Sequence, residues 1–230
     1  MSRASLDKDP RDVAAMFDDV AGKYDLTNDV LSLGQDRLWR RAVLKAVAAR
    51  PGETVLDIAA GTGTSSEPFA DGGVNVVPAD FSLGMLRVGH QRRPDLGFTA
   101  ADAMRLPFAD ASFDAVTMSF GLRNVASVDA ALGEFLRVVK PGGRLVCLEF
   151  SRPVRAWLRA LYDWYSLTLL PRIGTFVARD KTGVYRYLPD SIRTFPDQEA
   201  LKDLLLKAGF RQVEYQNLSG GIVAIHVAVK

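Results

Sequence analysis

Short apolar runs alternate with amphipathic stretches through the middle of the chain. Residues 54–59 (Thr-Val-Leu-Asp-Ile-Ala) form a run of strand length that ends at Gly61-Thr62-Gly63 and leads into a helix. Residues 74–79 predict a second strand ending at Asp80, with a helix opened by Ser82. Residues 97–100 give a weak third strand ending at Asp102, and residues 113–119 a fourth, followed by a helix over 128–139. Pro141-Gly142-Gly143 then turns into a fifth strand, 144–150. Apolar strands separated by helices imply right-handed crossovers and a parallel sheet covered on both faces.

The two ends read differently. Asp9-Pro10 starts a helix with Val13, Met16, Phe17 and Val20 on one face. A turn-rich stretch over 23–34 follows, then a second helix over 36–49, stopped by Pro51-Gly52. At the other end a helix over 198–208 precedes two strand patterns, 212–217 and 222–229. They are separated by Gly220-Gly221 and form an antiparallel hairpin. The expected organisation is one α/β domain over 1–230, with a helical cap over 1–50 and a helical insert over 151–196.

That insert carries Trp157, Tyr162, Trp164, Tyr165, Phe176, Tyr185, Tyr187 and Phe195. Among them stand Arg152, Arg155, Arg159, Arg172, Arg179, Lys181, Arg186 and Arg193. Aromatics with interspersed cations suit a lid or a membrane-facing surface. An ordinary amphipathic layer over the sheet edge is the alternative.

Composition narrows the classes. A net charge of +2 over 230 residues lacks the basic excess expected of a nucleic-acid partner. One cysteine, Cys147, permits no internal disulfide and fits a reducing cytosol. His90 and His226 lie far apart, so no metal site is expected. No apolar run approaches the ~20 residues of a spanning helix. The expected location is cytoplasmic, at most peripheral on the inner face of the cell membrane.

The candidate chemistry lies at the strand ends. Asp57-Ile58-Ala59-Ala60-Gly61-Thr62-Gly63 occupies the first strand-to-helix turn, where glycines let backbone N–H groups approach a ligand. Ser66 stands where a dinucleotide fingerprint has its third glycine, which weakens a pyrophosphate reading. Asp80 ends the next strand, at the usual distance for gripping ribose hydroxyls. Asp102 and Ala103 end the third strand, where an aspartate can accept from an adenine amino group. Ser119 ends the fourth, on the same carboxyl edge of the sheet. Cys147 has apolar neighbours and reads as a small core residue.

Several segments carry a resemblance. They are residues 24–39 (Tyr-Asp-Leu-Thr-Asn-Asp-Val-Leu-Ser-Leu-Gly-Gln-Asp-Arg-Leu-Trp), 119–125 (Ser-Phe-Gly-Leu-Arg-Asn-Val), 137–151 with its Lys-Pro-Gly-Gly turn, and 185–196. Over nearly its whole length the chain resembles the bacterial menaquinone and ubiquinone C-methyltransferases. The implied fold is the seven-stranded class I methyltransferase sheet, Rossmann-like with a C-terminal antiparallel hairpin. The implied cofactor is S-adenosyl-L-methionine, contacted by Thr62, Asp80, Asp102, Ala103 and Ser119, and the turn residues Asp57, Gly61 and Gly63 are expected to join them in binding it. The implied acceptor is a polyprenylated quinol, with Tyr24, Asn28 and Tyr185 in its pocket. Two positions depart from the family: Thr27 and Asp36 stand where methionine and histidine are usual.

Carbon methylation needs an electron-rich ring carbon aimed at the sulfonium methyl in a dry site. Arg123 is the expected stabiliser of a developing phenolate and Asn124 its hydrogen-bonding partner. Arginine stays protonated, so a water is expected to pass the proton to a carboxylate that the sequence does not identify. Glu149, ending the fifth strand, is expected to line the quinol pocket, with a structural role as the alternative. Demethylmenaquinol is the first expected acceptor and a polyprenyl methoxybenzoquinol the second. The rival readings are a methyltransferase for a soluble phenol, amine or fatty acid, and a nicotinamide-dependent oxidoreductase on a similar sheet. The Ser66 position and the hairpin argue against the latter. Peripheral membrane contact follows from a greasy substrate, and a homo-oligomer is left open.

Overall fold

β1 (Thr54–Ile58) is an interior strand of the sheet, with four of its five residues buried, as expected of a strand covered on both faces. A computed structural model of the chain describes residues 9–169 and 184–230. β1 pairs in parallel with β2 (Asn75–Asp80) on one side and β4 (Phe113–Ser119) on the other. β3 (Thr99–Ala100) extends β2, and β5 (Val139–Phe150) extends β4, all parallel. The edge is antiparallel: β7 (Val223–Val229) lies between β5 and β6 (Arg211–Leu218). The order 3-2-1-4-5-7-6 has the expected seven strands and C-terminal hairpin, and its direction reverses between β1 and β4. Such a switch point opens a crevice at the carboxyl ends of the strands.

Helices cover both faces. On one, Leu132 and Phe135 of α6 (Val128–Val138) and Leu201 and Leu205 of α9 (Gln198–Ala208) pack on Val116 and Leu145. On the other, Trp39, Val43 and Val47 of α3 (Gln35–Val47) pack with Val55, Val146, Leu148 and Ile225. Burying each such side chain is worth about 1.5–3 kcal/mol. Local signals set the helix ends. Ser82 accepts the Met85 N–H to cap α5 (Leu83–Arg92), and Asp197 accepts from Ala200 to cap α9. Ser66, by contrast, enters α4 (Glu67–Asp71), a helix of only five residues, without a side-chain cap.

A third cluster sits above the carboxyl edge. Met16 and Val20 of α1 (Pro10–Val20), Leu31 of α2 (Tyr24–Leu31), Met85 of α5 and Tyr187 of α8 (Val184–Thr194) close over the crevice. α7 (Ala156–Trp164) lies beside it.

Two expectations are corrected. The stretch read as turn-rich over 23–34 holds α2, and only its end is a turn, with Leu33 at φ 53° and Gly34 at φ 75°. Thr27 and Leu31, four residues apart, are both buried, so tertiary packing overrides the weak helix propensity of Thr, Asn and Asp. The fifth strand starts at Val139, five residues early, and absorbs the Lys-Pro-Gly-Gly turn as an irregularity against Phe113 and Ala115. A Cβ at Gly143 would stand 2.8 Å from the Asp114 carbonyl oxygen, which is why this approach needs glycine.

Candidate active site

The switch point opens into a cavity of about 610 Å³, within the range of small-molecule sites. Its floor is the carboxyl edge of β1, β2 and β4, and its roof comes from α1, α2, α3 and α7.

The loop after β1 forms one half. Ala59 and Gly61 take positive φ (55° and 58°), which turns the backbone back toward β2. A Cβ on Gly61 would meet no protein atom within 4 Å, so the loop leaves open space on the cavity side. The Gly61 N–H donates to Asp80 Oδ2 and the Ser82 N–H to Oδ1, each at 2.8 Å. Burial raises the pKa of Asp80, against the stabilising pull of these backbone donors. With the Phe81 backbone also bonded to it, the carboxylate still keeps lone-pair capacity for a ligand hydroxyl. Asp102 and Ala103 also line the cavity, with Asp102 Oδ1 accepting the Met104 N–H at 2.9 Å. The Ser119 hydroxyl is buried on the same wall with no partner among the described residues.

Asp57 and Gly63, expected to touch a cofactor, are not on the cavity wall. Asp57 is buried beneath the loop, where Ser66 Oγ donates to it at 2.5 Å, and burial pushes its pKa up to about 7. Gly63, at φ 81°, admits the ring of Phe98, which a Cβ would meet at 2.6 Å. These two hold the loop from behind. Thr62 does line the cavity and donates to Asp25 Oδ2 of α2 at 2.8 Å. Arg92 of α5 binds the same carboxylate oxygen at 3.0 Å and the Thr62 carbonyl at 2.8 Å. The helical cap is thus tied to the loop.

The other half is built around Arg123. It is 5% exposed, in a short 3-10 turn (Leu122–Asn124) after β4. Its Nη1 donates to Glu149 Oε1 at 2.7 Å and also to the Phe120 carbonyl. Its guanidinium lies 5.1 Å from the centre of the Phe150 ring. Glu149, expected in the pocket, stands behind it instead, taking the Arg123 guanidinium, the Arg123 N–H and the Phe150 N–H. Arg123 Nε and Asn124 Oδ1 are buried without a partner among the described residues, leaving one donor and one acceptor for a bound group. Phe120, Phe150 and Trp39 stack beside them into an aromatic wall.

Tyr24 and Asn28 of α2 line the cavity. Burial raises the pKa of Tyr24, opposed by a hydrogen bond from Asn28, and the charge of Arg123 reaches it. The side chain of Tyr185 lies outside the described residues, as do Arg172, Phe176, Arg179 and Lys181. Tyr162 of α7 and Tyr187 of α8, which the sequence marks only as lid or surface aromatics, also feel the Arg123 charge. No spacing rule links a tyrosine in a late helix to an arginine forty or sixty positions earlier.

Leu33, Leu161 and Trp164 line the cavity yet are 85%, 53% and 55% exposed, so they mark its mouth. Leu26 and Trp157 are exposed apolar residues on the same capping helices. No helix among the described residues is long and apolar enough to cross a membrane.

Residues 5–230 match the model of the ubiE/COQ5 methyltransferase family. A demethylmenaquinone methyltransferase of Beutenbergia cavernae is 62% identical over 230 residues, covering 100% of this chain and 95% of its own. One of Mycobacterium marinum is 55% identical, covering 100% and 98%. Among solved structures, a possible histamine N-methyltransferase of Thermotoga maritima superposes with TM-score 0.65 at 21% identity, covering 94% of this chain and 98% of its own. The [4+2]-cyclase SpnF gives TM-score 0.65 at 20% identity, covering 86% and 81%, so the fold alone does not fix the reaction. The match over nearly all of its length settles the question of kinship: the chain belongs to the ubiE/COQ5 methyltransferase family.

Proposed function

We propose that this protein transfers a methyl group from S-adenosyl-L-methionine to a ring carbon of a polyprenylated demethylmenaquinol, giving menaquinol. The observation that carries the reading is the buried Arg123, fixed by Glu149 and facing a cavity whose other half ends in Asp80 and Asp102. Relatives named demethylmenaquinone methyltransferase at 55–62% identity support the choice of acceptor.

S-adenosyl-L-methionine supplies an electrophilic methyl when bound. Asp80 would hold its ribose hydroxyls with the lone pairs that Gly61 and Ser82 leave free, and Asp102 with Ala103 would flank the adenine. The Ser119 hydroxyl, without a partner among the described residues, would bond the same ligand. Asp57 and Gly63 would act indirectly, by keeping the loop in shape. Arg123 would stabilise the phenolate that develops on the ring oxygen, with charge and N–H donors preorganised in a dry site. Asn124 Oδ1, the free acceptor, would take the O–H of the ring's other hydroxyl, while Tyr24 and Asn28 close the pocket over the ring. Trp39, Phe120 and Phe150 give the ring an apolar face to stack on.

The exposed mouth residues Leu33, Leu161 and Trp164 support peripheral contact with a bilayer, because a polyprenyl tail must leave the pocket into an apolar phase. Co-sedimentation with lipid vesicles that falls on Leu33→Ser with Trp164→Ser checks this contact.

The deciding experiment follows methyl transfer from labelled S-adenosylmethionine to a prenylated demethylnaphthoquinol and to a prenylated methoxybenzoquinol. Transfer to the first is expected. Transfer to neither, with cofactor binding intact, would sink the substrate assignment.

A further inference from the structure

The reaction needs a proton acceptor, and the cavity wall narrows the choice. Its carboxylates among the described residues are Asp25, Asp36, Asp80 and Asp102. Asp25 is taken by the Thr62 hydroxyl and the Arg92 guanidinium. Asp80 and Asp102 hold backbone N–H groups at the ends of β2 and β3, on the far side of the switch point from Arg123. Glu149 is off the wall, with three donors already on it.

Asp36 is placed otherwise. It lies in the first turn of α3, one turn before Trp39, whose ring packs on Phe120 and Phe150. The Arg123 guanidinium stands over that same Phe150 ring. Asp36 and Arg123 therefore flank one aromatic wall. A carboxylate in a first turn suits the helix dipole, but it does so equally well in solvent. This one is 6% exposed and turned into the cavity. Arg40 holds Oδ2, while among the described residues Oδ1 has only a long 3.3 Å bond from the Ser32 hydroxyl and keeps capacity for a substrate O–H. The charged groups around it are Arg40 on its own helix, Asp57 at the end of β1, which also feels Arg40, and the Arg123–Glu149 pair across the wall.

We propose that Asp36 is the residue that accepts the quinol hydroxyl proton, an inference that rests on the quinol-methylating function above. The O–H bond breaks and its proton passes to Asp36 Oδ1, while the oxygen pair feeds the ring under the charge of Arg123. The ring carbon forms its bond to the methyl as the sulfonium C–S bond breaks, its electron pair remaining on sulfur. That carbon then loses its hydrogen to water as a proton, restoring the aromatic ring, and Asp36 returns its proton to the oxygen. One proton leaves per turnover and the carboxylate is regenerated.

The test compares wild type, Asp36→Asn and Asp36→His with demethylnaphthoquinol as acceptor. Cofactor affinity is read with S-adenosylhomocysteine, and folding by melting temperature. Asp36→Asn is expected to lower kcat at least ~100-fold, the lower range for lost acid–base catalysis, with cofactor affinity within about threefold. Imidazole is a base of ordinary pKa ~6.5 against ~3.9 for a carboxyl. Asp36→His should therefore recover at least about tenfold over Asp36→Asn, with the acid limb of kcat/KM moved to higher pH. An Asp36→Asn rate within about threefold of wild type overturns the proposal. So does a loss that histidine fails to lift and that leaves the acid limb in place, since that pattern belongs to a structural ion pair. Wild type that transfers no methyl to the quinol would overturn the underlying function and this proposal together, and is told apart because no variant rate then exists to compare.

Discussion

Replacing Glu149 by glutamine removes one charge from a pair that is almost wholly buried. Glu149 is 1% exposed and Arg123 5%, so the guanidinium left behind loses its counter-charge with little solvent to replace it. Glutamine keeps the size and one carbonyl oxygen, which still accepts from Arg123 or Phe150. Its amide end, however, presents a donor where the carboxylate took donors on both oxygens. Breaking a buried pair by removing one partner costs about 3–5 kcal/mol. The retained oxygen places Glu149→Gln near the lower figure, about 3 kcal/mol. At roughly 2–4 °C per kcal/mol for a chain of this size, the melting temperature should fall by about 6–12 °C. Adding Arg123→Met to Glu149→Gln removes the stranded charge, so the double variant should regain about 2 kcal/mol over Glu149→Gln alone. Urea unfolding of the four proteins of this cycle measures both numbers. A Glu149→Gln cost under about 1 kcal/mol, the range of an exposed pair, would refute the reasoning that Arg123 is locked by charge.

Three further outcomes follow from the same geometry. Asp80→Ala should raise the dissociation constant of S-adenosylhomocysteine at least ~100-fold by calorimetry, because two charge-assisted hydrogen bonds are each worth about 1.5–3 kcal/mol. Arg123→Lys keeps the charge but loses the planar fork, and should cut kcat by about 10²-fold while leaving cofactor affinity within a small factor. Burial raises the pKa of Asp57 from 3.8 to about 7, so between those values the unfolded chain is ionised while the folded one keeps its proton. Its contribution to stability is therefore full below the unfolded value and is lost as pH rises toward 7. Asp57→Asn should flatten this slope in denaturation curves measured from pH 4 to 7, and an unchanged slope would remove the assignment.

The capping segment shows where legibility in the sequence stops. Residues 54–58, 75–80 and 113–119 announce their strands because each carries a short apolar run at its buried positions, whatever it packs against. The same logic made Asp80, Asp102 and Ser119 readable as strand-end residues at one sheet edge. By contrast α2 carries Thr, Asn and two Asp residues in eight positions, and is a helix because Thr27 and Leu31 find a buried surface. Its placement rests on Asp25 meeting Thr62, 37 residues away, while Asp18 of α1 reaches Ser82 and Gly84 of α5. No local pattern encodes such meetings.

The sequence by itself determined the alternating α/β order, the hairpin edge and the identity of the strand-end acids. These depend on hydrophobic periodicity and on glycine and aspartate at fixed offsets from a strand. Only the tertiary structure decided that Asp57 lies behind the loop rather than in the cavity, that Glu149 grips Arg123 rather than lining the pocket, and that Asp36 shares an aromatic wall with that arginine. Each of these turns on which side of a packed layer a carboxylate ends up. That depends on the contacts of distant segments, because desolvation makes a buried charge tolerable only where a partner from elsewhere in the chain meets it.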